Sequence, residues 1–169
     1  MDPEGREYLD FFGGILTTMS GYRVPEVVAA IKAQADRMLH TSTLYLIESQ
    51  IELAEKIAEL SGIPDAKVFF TNSGTEANDA ALMLATQYRK SNQILAVRGS
   101  YHGKSHSTVA ITGQRAWSAT SFSPFAVTYV HGGYKLRSPF GHLPDPEFIA
   151  ACVSDLKDLL GVATAGSPA

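Results

Sequence analysis

Side chains suited to binding a phosphate stand between an apolar run and a helical stretch. Residues 67–85 read KVFFTNSGTEANDAALMLA, passing from β-prone residues through a glycine to helix formers. A helix start attracts anions, because its first N–H groups are unpaired and the helix dipole is positive there. Gly74 lets a ligand approach the backbone, while Ser73 and Thr75 add hydroxyl donors. This chemistry suits a phosphate group.

The same residues also fit a purely structural role. In a capping box, Ser73 would cap the helix and Glu76 would reach back to the N–H of Ser73. That role accounts for Ser73 and Glu76 without any ligand, but not for the glycine and the second hydroxyl. The P-loop pattern is absent. From this stretch alone, phosphate binding and plain capping both stay open.

A second constellation, SYHGKS at residues 100–105, follows the next apolar run. Tyr101 offers a flat aromatic face and His102 a titratable ring. If both runs are strands of one parallel sheet, their carboxyl ends lie at the same edge, which places Tyr101 and His102 near Gly74. That arrangement would suit a flat, phosphorylated cofactor. The alternative is a tyrosine under a loop beside a surface histidine.

Other polar residues indicate less chemistry. The remaining histidines are His40, His106, His131 and His142. Their spacing fits no metal-ligand pattern, so we expect no metal site. A small group of hydroxyl residues is more typical of a helix start than of nucleophiles; these are Ser105, Ser107 and Thr108. No G-x-S-x-G elbow supports a hydrolase.

The elements that must position these residues follow from hydrophobic periodicity. Helical spacing predicts helices at 24–39, 49–62, 75–90 and 145–161. Short apolar runs predict strands at 66–71, 93–99 and 125–130, and residues 7–15 begin β-prone before a Gly-Gly break. Strand, helix and strand within 67–98 predict a βαβ unit. We therefore expect an α/β fold with a parallel sheet flanked by helices.

Composition excludes several classes of protein. The chain has 169 residues, of which 45% are hydrophobic and 18% charged, and a formal net charge of −3. The negative balance argues against a nucleic-acid binder. No window resembles a membrane span, and the acidic start MDPEGREYLD is not a signal peptide. With Cys152 as the single cysteine, we expect a cytoplasmic protein.

The two motifs, VFFTNSGTEANDAALMLA and GSYHGKS, closely resemble those of class III aminotransferases, pyridoxal-phosphate enzymes of fold type I. YLDFFGGILTTMSGY also resembles their N-terminal segment, a strand and glycine turn near the substrate. The resemblance implies an N-terminal strand and helix segment at residues 1–46. Residues 47–169 would then form the first part of the large domain, which binds pyridoxal phosphate.

The resemblance also implies roles for single residues. Ser73, Gly74 and Thr75 match the turn that binds the cofactor phosphate. Tyr101 matches the aromatic residue that stacks on the pyridine ring, with His102 as its neighbour. The polar residues that match positions around the cofactor are Glu76 and Asn78. The implied reaction moves an amino group between a small-molecule amino donor and a 2-oxo acid, in an enzyme that is a homodimer.

The chain departs from the family pattern in two places. Residues 21–25, GYRVP, differ from the family's usual G-H turn, which affects substrate contacts near Tyr22. The family's Schiff-base lysine and the aspartate that pairs with the pyridine nitrogen match no residue here. We therefore assign no catalytic residue and expect an N-terminal fragment that is inactive alone. The alternatives are a non-catalytic, truncated phosphate-cofactor-binding or assembly module, and a nucleotide- or sugar-phosphate-binding domain.

Overall fold

A computed structural model describes residues 1–118 and 122–162 of the chain. The described residues form five α-helices and two strands, which follow one another in the order α1, α2, α3, β1, α4, β2, α5. Their bounds are α1 Pro25–Arg37, α2 Glu48–Ser61, α3 Gly74–Arg89, β1 Gln93–Val97, α4 His106–Ala110, β2 Ala126–Val130 and α5 Asp145–Val162. The four long helices and the last two predicted strands are confirmed. The predicted large domain extends to residue 169, and its last seven residues lie outside the described residues.

The chain divides into two compact units, Met1–Val68 and the part from Phe69 onward. In the first unit, Pro25 occupies the first turn of α1, where its missing N–H costs nothing. Gly62 ends α2 in the left-handed conformation, with φ of 66°, as its position in the sequence predicts. All 68 residues of this unit are described, and none of them is buried. Its two helices are therefore amphipathic elements whose apolar faces stay accessible.

The predicted N-terminal strand is wrong. Residues 1–24 contain turns, bends and irregular backbone but no strand. The carboxylate of Asp10 accepts hydrogen bonds from the N–H groups of Phe12, at 2.6 Å, and Gly13, at 3.1 Å. Because a short polar side chain that binds neighbouring N–H groups favours a turn, the β-prone residues here do not extend into a strand.

The strand predicted at 66–71 is also wrong, and with it the βαβ unit at 67–98. These residues are part of the connection to α3 and have no ladder partner among the described residues. The parallel sheet instead pairs β1 with β2, in a register from Gln93↔Ala126 to Val97↔Val130. The predicted parallel α/β architecture is therefore confirmed, but with a later pair of strands.

The core of the second unit lies between α3 and the sheet. Leu82 of α3, Ala96 of β1 and Ile111 form a buried cluster, with Phe125 and Tyr129 packed against it. The hydroxyl of Tyr129 also donates to the carbonyl of Ala110, which joins β2 to the end of α4. This packing fixes α3, α4 and the ends of both strands relative to one another.

Helix α5 contacts β2 and contributes Phe148, which is buried. Its first residue, Asp145, pairs with Lys135 at 2.5 Å. Among the helices in the described ranges, none has the length and apolar character needed to cross a bilayer.

Candidate functional site

Helix α3 begins at Gly74, directly after an extended Ser73 with φ of −153° and ψ of 161°. The hydroxyl of Ser73 accepts a hydrogen bond from the N–H of Glu76 at 3.2 Å. The carboxylate of Glu76 accepts from the N–H of Asn72 at 2.7 Å, one residue before the partner expected in a capping box. Both side chains therefore cap the helix, and Glu76 is held at the Asn72 side of the turn.

The same helix start presents a cluster of unused donors. Among the described residues, no acceptor contacts the backbone N–H groups of Ser73, Gly74 and Thr75. The hydroxyl of Thr75 accepts from the N–H of Lys104 at 3.4 Å, which leaves its own proton for another acceptor. A Cβ added at Gly74 would meet no atom within 4 Å, so the backbone there faces open space. Unpaired donors at a positive helix end are able to bind an anion.

Segment 101–105 lies against this helix start. The side-chain amide of Asn78 donates to the carbonyl of His102 at 2.8 Å. The hydroxyl of Ser105 donates to the carboxylate of Asp79 at 2.9 Å, which ties the segment to α3 a second time. These contacts hold the main chain of His102, the neighbour of Tyr101, against α3. The predicted reason for this proximity, a strand before α3 in the same sheet, is wrong.

Gly103 explains how the two segments come so close. A Cβ on this residue would lie 2.5 Å from Oγ1 of Thr75 and 2.7 Å from Oγ1 of Thr108. Its φ of +136° is also a conformation that other residues rarely adopt. Only glycine therefore lets the backbone of this segment lie in contact with Thr75 at the start of α3.

The ring of Tyr101 is supported on one side and accessible on another. The indole of Trp117 meets it in a T-shaped contact, with ring centroids 5.7 Å apart. The ammonium of Lys104 lies 5.8 Å from the ring centroid and donates to the carbonyl of Trp117 at 3.2 Å. The side chain of Tyr101 nevertheless remains 50% exposed. A supported, half-exposed ring, on a segment that contacts a cluster of unpaired donors, can bind a flat molecule that carries a phosphate.

Helix α4 confirms the helix-start interpretation of Ser105 and Thr108. It begins at His106, with a complete capping box between these two residues. Thr108 is fully buried, so its hydroxyl serves the fold rather than a reaction.

Sequence reasoning missed three residues that support Tyr101: Lys104, Thr112 and Trp117. Thr112 lies four residues after Thr108, a spacing that indicates one helix face, but nothing in the sequence shows that its hydroxyl accepts from the N–H of His102. The contact arises because the chain turns back after α4, as the parallel bridge between Arg98 and Gly113 shows.

Comparison with known proteins gives the class and then the family. The structure superposes on an omega-aminotransferase from Paracoccus denitrificans with a TM-score of 0.84 and 26% identity, covering 95% of this chain and 37% of that one. A PLP-bound aminotransferase mutant from Vibrio fluvialis superposes with a TM-score of 0.80, also at 26% identity and with the same coverage. The fold is thus that of the fold-type-I transaminases, as the sequence predicts.

The family itself follows from the sequence. The profile of the class-III aminotransferases matches residues 1–164, so the chain belongs to this family. The acetylornithine aminotransferase of Methanothermobacter thermautotrophicus is 38% identical over 133 residues, which are 79% of this chain and 33% of that protein. The chain spans about a third of the length of the curated relatives it matches.

Proposed function

We propose that this chain holds the phosphate and one ring face of pyridoxal phosphate in an aminotransferase that moves an amino group between an amino donor and a 2-oxo acid. The observation that carries the proposal is the donor cluster at the start of α3, with the segment that carries Tyr101 held against it. Family membership supports it, as does the similarity to an aminotransferase described as PLP-bound.

The residues present fit this cofactor. The N–H groups of Ser73, Gly74 and Thr75 and two hydroxyls would donate to the phosphate oxygens, each charge-assisted bond being worth roughly 1.5–3 kcal/mol. Tyr101 would cover the pyridine ring. When bound, pyridoxal phosphate supplies an aldehyde and an electron-accepting ring, which is the chemistry that carries an amino group.

The other three residues of the predicted site take supporting roles in this proposal. Glu76 caps the helix through Asn72 and is thereby held away from a phosphate that its charge would repel. Asn78 binds the carbonyl of His102, so both residues place the chain that carries Tyr101. We assign no lysine a catalytic role.

The location, oligomeric state and domain organisation that we propose rest on the resemblance and on family membership. We propose a cytoplasmic homodimer, in which residues 1–46 lie on the substrate side and residues 47–169 begin the cofactor-binding domain.

The test uses the 169-residue chain and 4-deoxypyridoxine 5′-phosphate, an analogue that has no aldehyde and cannot label surface lysines. Trp117 is the chain's only tryptophan and contacts Tyr101, so its fluorescence reports a ligand at the ring. We expect saturable quenching by the analogue and competition by inorganic phosphate. Wild-type protein that binds neither compound would contradict the proposal.

The variant Ser73→Asp separates phosphate binding from capping. Aspartate is as good an N-cap as serine, so we expect the free energy of unfolding to stay within about 0.5 kcal/mol of wild type. Its negative charge repels a phosphate, so affinity for both compounds should fall by at least about tenfold. Ser154→Asp, at an exposed position of α5, adds the same charge as a control. If Ser73→Asp binds as wild type does, the phosphate site lies elsewhere.

A further inference from the structure

Thr112 is one of two polar side chains in the described ranges that are almost completely buried, with 2% of its surface exposed. A buried hydroxyl needs hydrogen-bond partners, and the hydroxyl of Thr112 has one as an acceptor and one as a donor. It accepts from the N–H of His102 at 3.2 Å and donates to the carbonyl of Thr108 at 2.8 Å. The bond to Thr108 gives a carbonyl of α4 a hydrogen-bond partner. The bond from His102 connects Thr112 to the segment that carries Tyr101.

His102 is held from two sides. Its N–H binds Thr112, and its carbonyl accepts from the amide of Asn78 at 2.8 Å. These groups belong to the two peptide units on either side of the His102 Cα. The first of these units also includes the Cα of Tyr101, so Thr112 fixes the point from which the Tyr101 ring extends.

The chain that follows Thr112 supports the same ring. The carbonyl of Gly113 accepts from the N–H of Gly99 at 2.9 Å, which anchors this stretch to the end of β1. Trp117 lies four residues after Gly113 and makes the T-shaped contact with Tyr101. Thr112 therefore binds the peptide unit next to Tyr101 and belongs to the same stretch of chain as Trp117, which contacts the Tyr101 ring.

We propose that Thr112 is a positioning residue, which holds the Tyr101 ring at the place where it covers the cofactor's pyridine ring. This inference rests on the proposed function. Thr112 acts through the peptide N–H of His102, and the hydrogen bonds of its hydroxyl are to His102 and Thr108 rather than to the donors at the start of α3 or to Tyr101.

The test compares two ligands in the 169-residue chain. Inorganic phosphate uses only the donors at the start of α3, whereas 4-deoxypyridoxine 5′-phosphate also uses the ring. In Thr112→Val, which keeps the side-chain shape but loses the hydroxyl, we expect affinity for the analogue to fall by roughly fivefold, about 1 kcal/mol. Affinity for inorganic phosphate should stay unchanged.

Two further variants complete the design. Thr112→Ser restores the hydroxyl and should recover binding of the analogue. Thr86→Val removes a partly buried hydroxyl in α3 that donates to the carbonyl of Leu82, and it should leave both affinities unchanged even where stability falls. A purely structural role for Thr112 would not produce a ligand-specific loss with recovery by serine.

The outcomes separate the two proposals. A wild-type chain that binds neither ligand overturns the proposed function and this inference together. If the wild-type chain binds both ligands and Thr112→Val loses affinity for both equally, this inference alone is overturned. The same holds if Thr112→Val loses affinity for neither ligand. If Thr112→Val does not retain the wild-type circular dichroism, Thr112→Ala takes its place in the same comparison, with the same expected and contradicting results.

Discussion

The side-chain amide of Asn78, in the second turn of α3, donates to the main-chain carbonyl of His102 at 2.8 Å. The two residues are 24 positions apart in the sequence, and the bond is partly buried. It joins the helix whose start forms the candidate anion site to the segment that carries Tyr101. The geometry of the whole site therefore depends on a contact between a side chain and a main chain that neither motif shows by itself.

Asn78→Asp should loosen this contact. The new carboxylate has no proton to donate and faces a carbonyl oxygen, so we expect the free energy of unfolding to fall by about 1–2 kcal/mol. Urea denaturation measures the change. Asn92→Asp, at an exposed position, adds the same charge and should shift stability by less than about 0.5 kcal/mol. Equal effects of the two substitutions would show that the bond contributes nothing.

Gly103→Ala should destabilise the second unit strongly. The added Cβ would lie 2.5 Å from Oγ1 of Thr75, and the backbone has φ of +136°. Overpacking and strain together should cost roughly 2–4 kcal/mol. Gly133→Ala is the matched control, because a Cβ there meets nothing within 4 Å. A variant of Gly103 that melts like wild type would mean that the two segments are not in close contact.

Tyr101→Ala should separate ring binding from phosphate binding. Loss of the aromatic face should weaken binding of 4-deoxypyridoxine 5′-phosphate by roughly fivefold to tenfold, the usual range for an aromatic contact. Affinity for inorganic phosphate should not change, since its proposed donors are at Ser73, Gly74 and Thr75. Tyr101→Phe keeps the ring and should bind as wild type does. Isothermal titration calorimetry is the suitable measurement, because the substitution also changes the surroundings of Trp117. Weaker phosphate binding in Tyr101→Ala would argue against separate roles.

Acid should weaken the pairing of Asp145 with Lys135. The hydrogen bond from the Lys135 ammonium, followed by its charge, lowers the pKa of Asp145 below its usual value. A lowered pKa means that the stabilisation is complete above pH of about 4 and is lost as the pH falls through the folded-state value. The effect should be small, because 82% of the Asp145 side chain is exposed.

Asp145→Asn tests this assignment. It should unfold slightly more easily than wild type at pH 7, and the difference should narrow as the pH is lowered below about 4. Asp158→Asn removes an exposed charge of the same sign from the same helix and should show no such convergence. Parallel pH profiles for wild type and Asp145→Asn would contradict the prediction.

The parts of the fold that the sequence predicts are those decided by local pattern. Helical periodicity, Pro25 at a helix start and Gly62 at a helix end place the long helices correctly. The strand predicted at 66–71 fails because a strand is defined by its pairing, and an apolar run does not reveal its partner. The N-terminal strand fails because Asp10 binds neighbouring N–H groups instead.

The candidate site divides in the same way. The helix start at Ser73 and Gly74 is local, so the sequence predicts it directly. The sequence places Tyr101 near Gly74 through a strand before α3 in the same sheet, and that strand is wrong; the main chain next to Tyr101 contacts α3 through the bond from Asn78 to His102 instead. The contacts of Thr112 and Trp117 depend on how the chain returns after α4, and no spacing in the sequence encodes that return.

Because none of the residues in Met1–Val68 is buried, their backbone amides should exchange rapidly with solvent. An isolated helix of 13 or 14 residues is only marginally stable in water, and these are the lengths of α1 and α2. Without a buried face to hold them, their amides should open by local fluctuations and exchange within the shortest labelling times. The amides of β1, whose Ala96 is 3% exposed, should be among the last to exchange. Protection in the first 68 residues would then be weak and local rather than that of a cooperative unit.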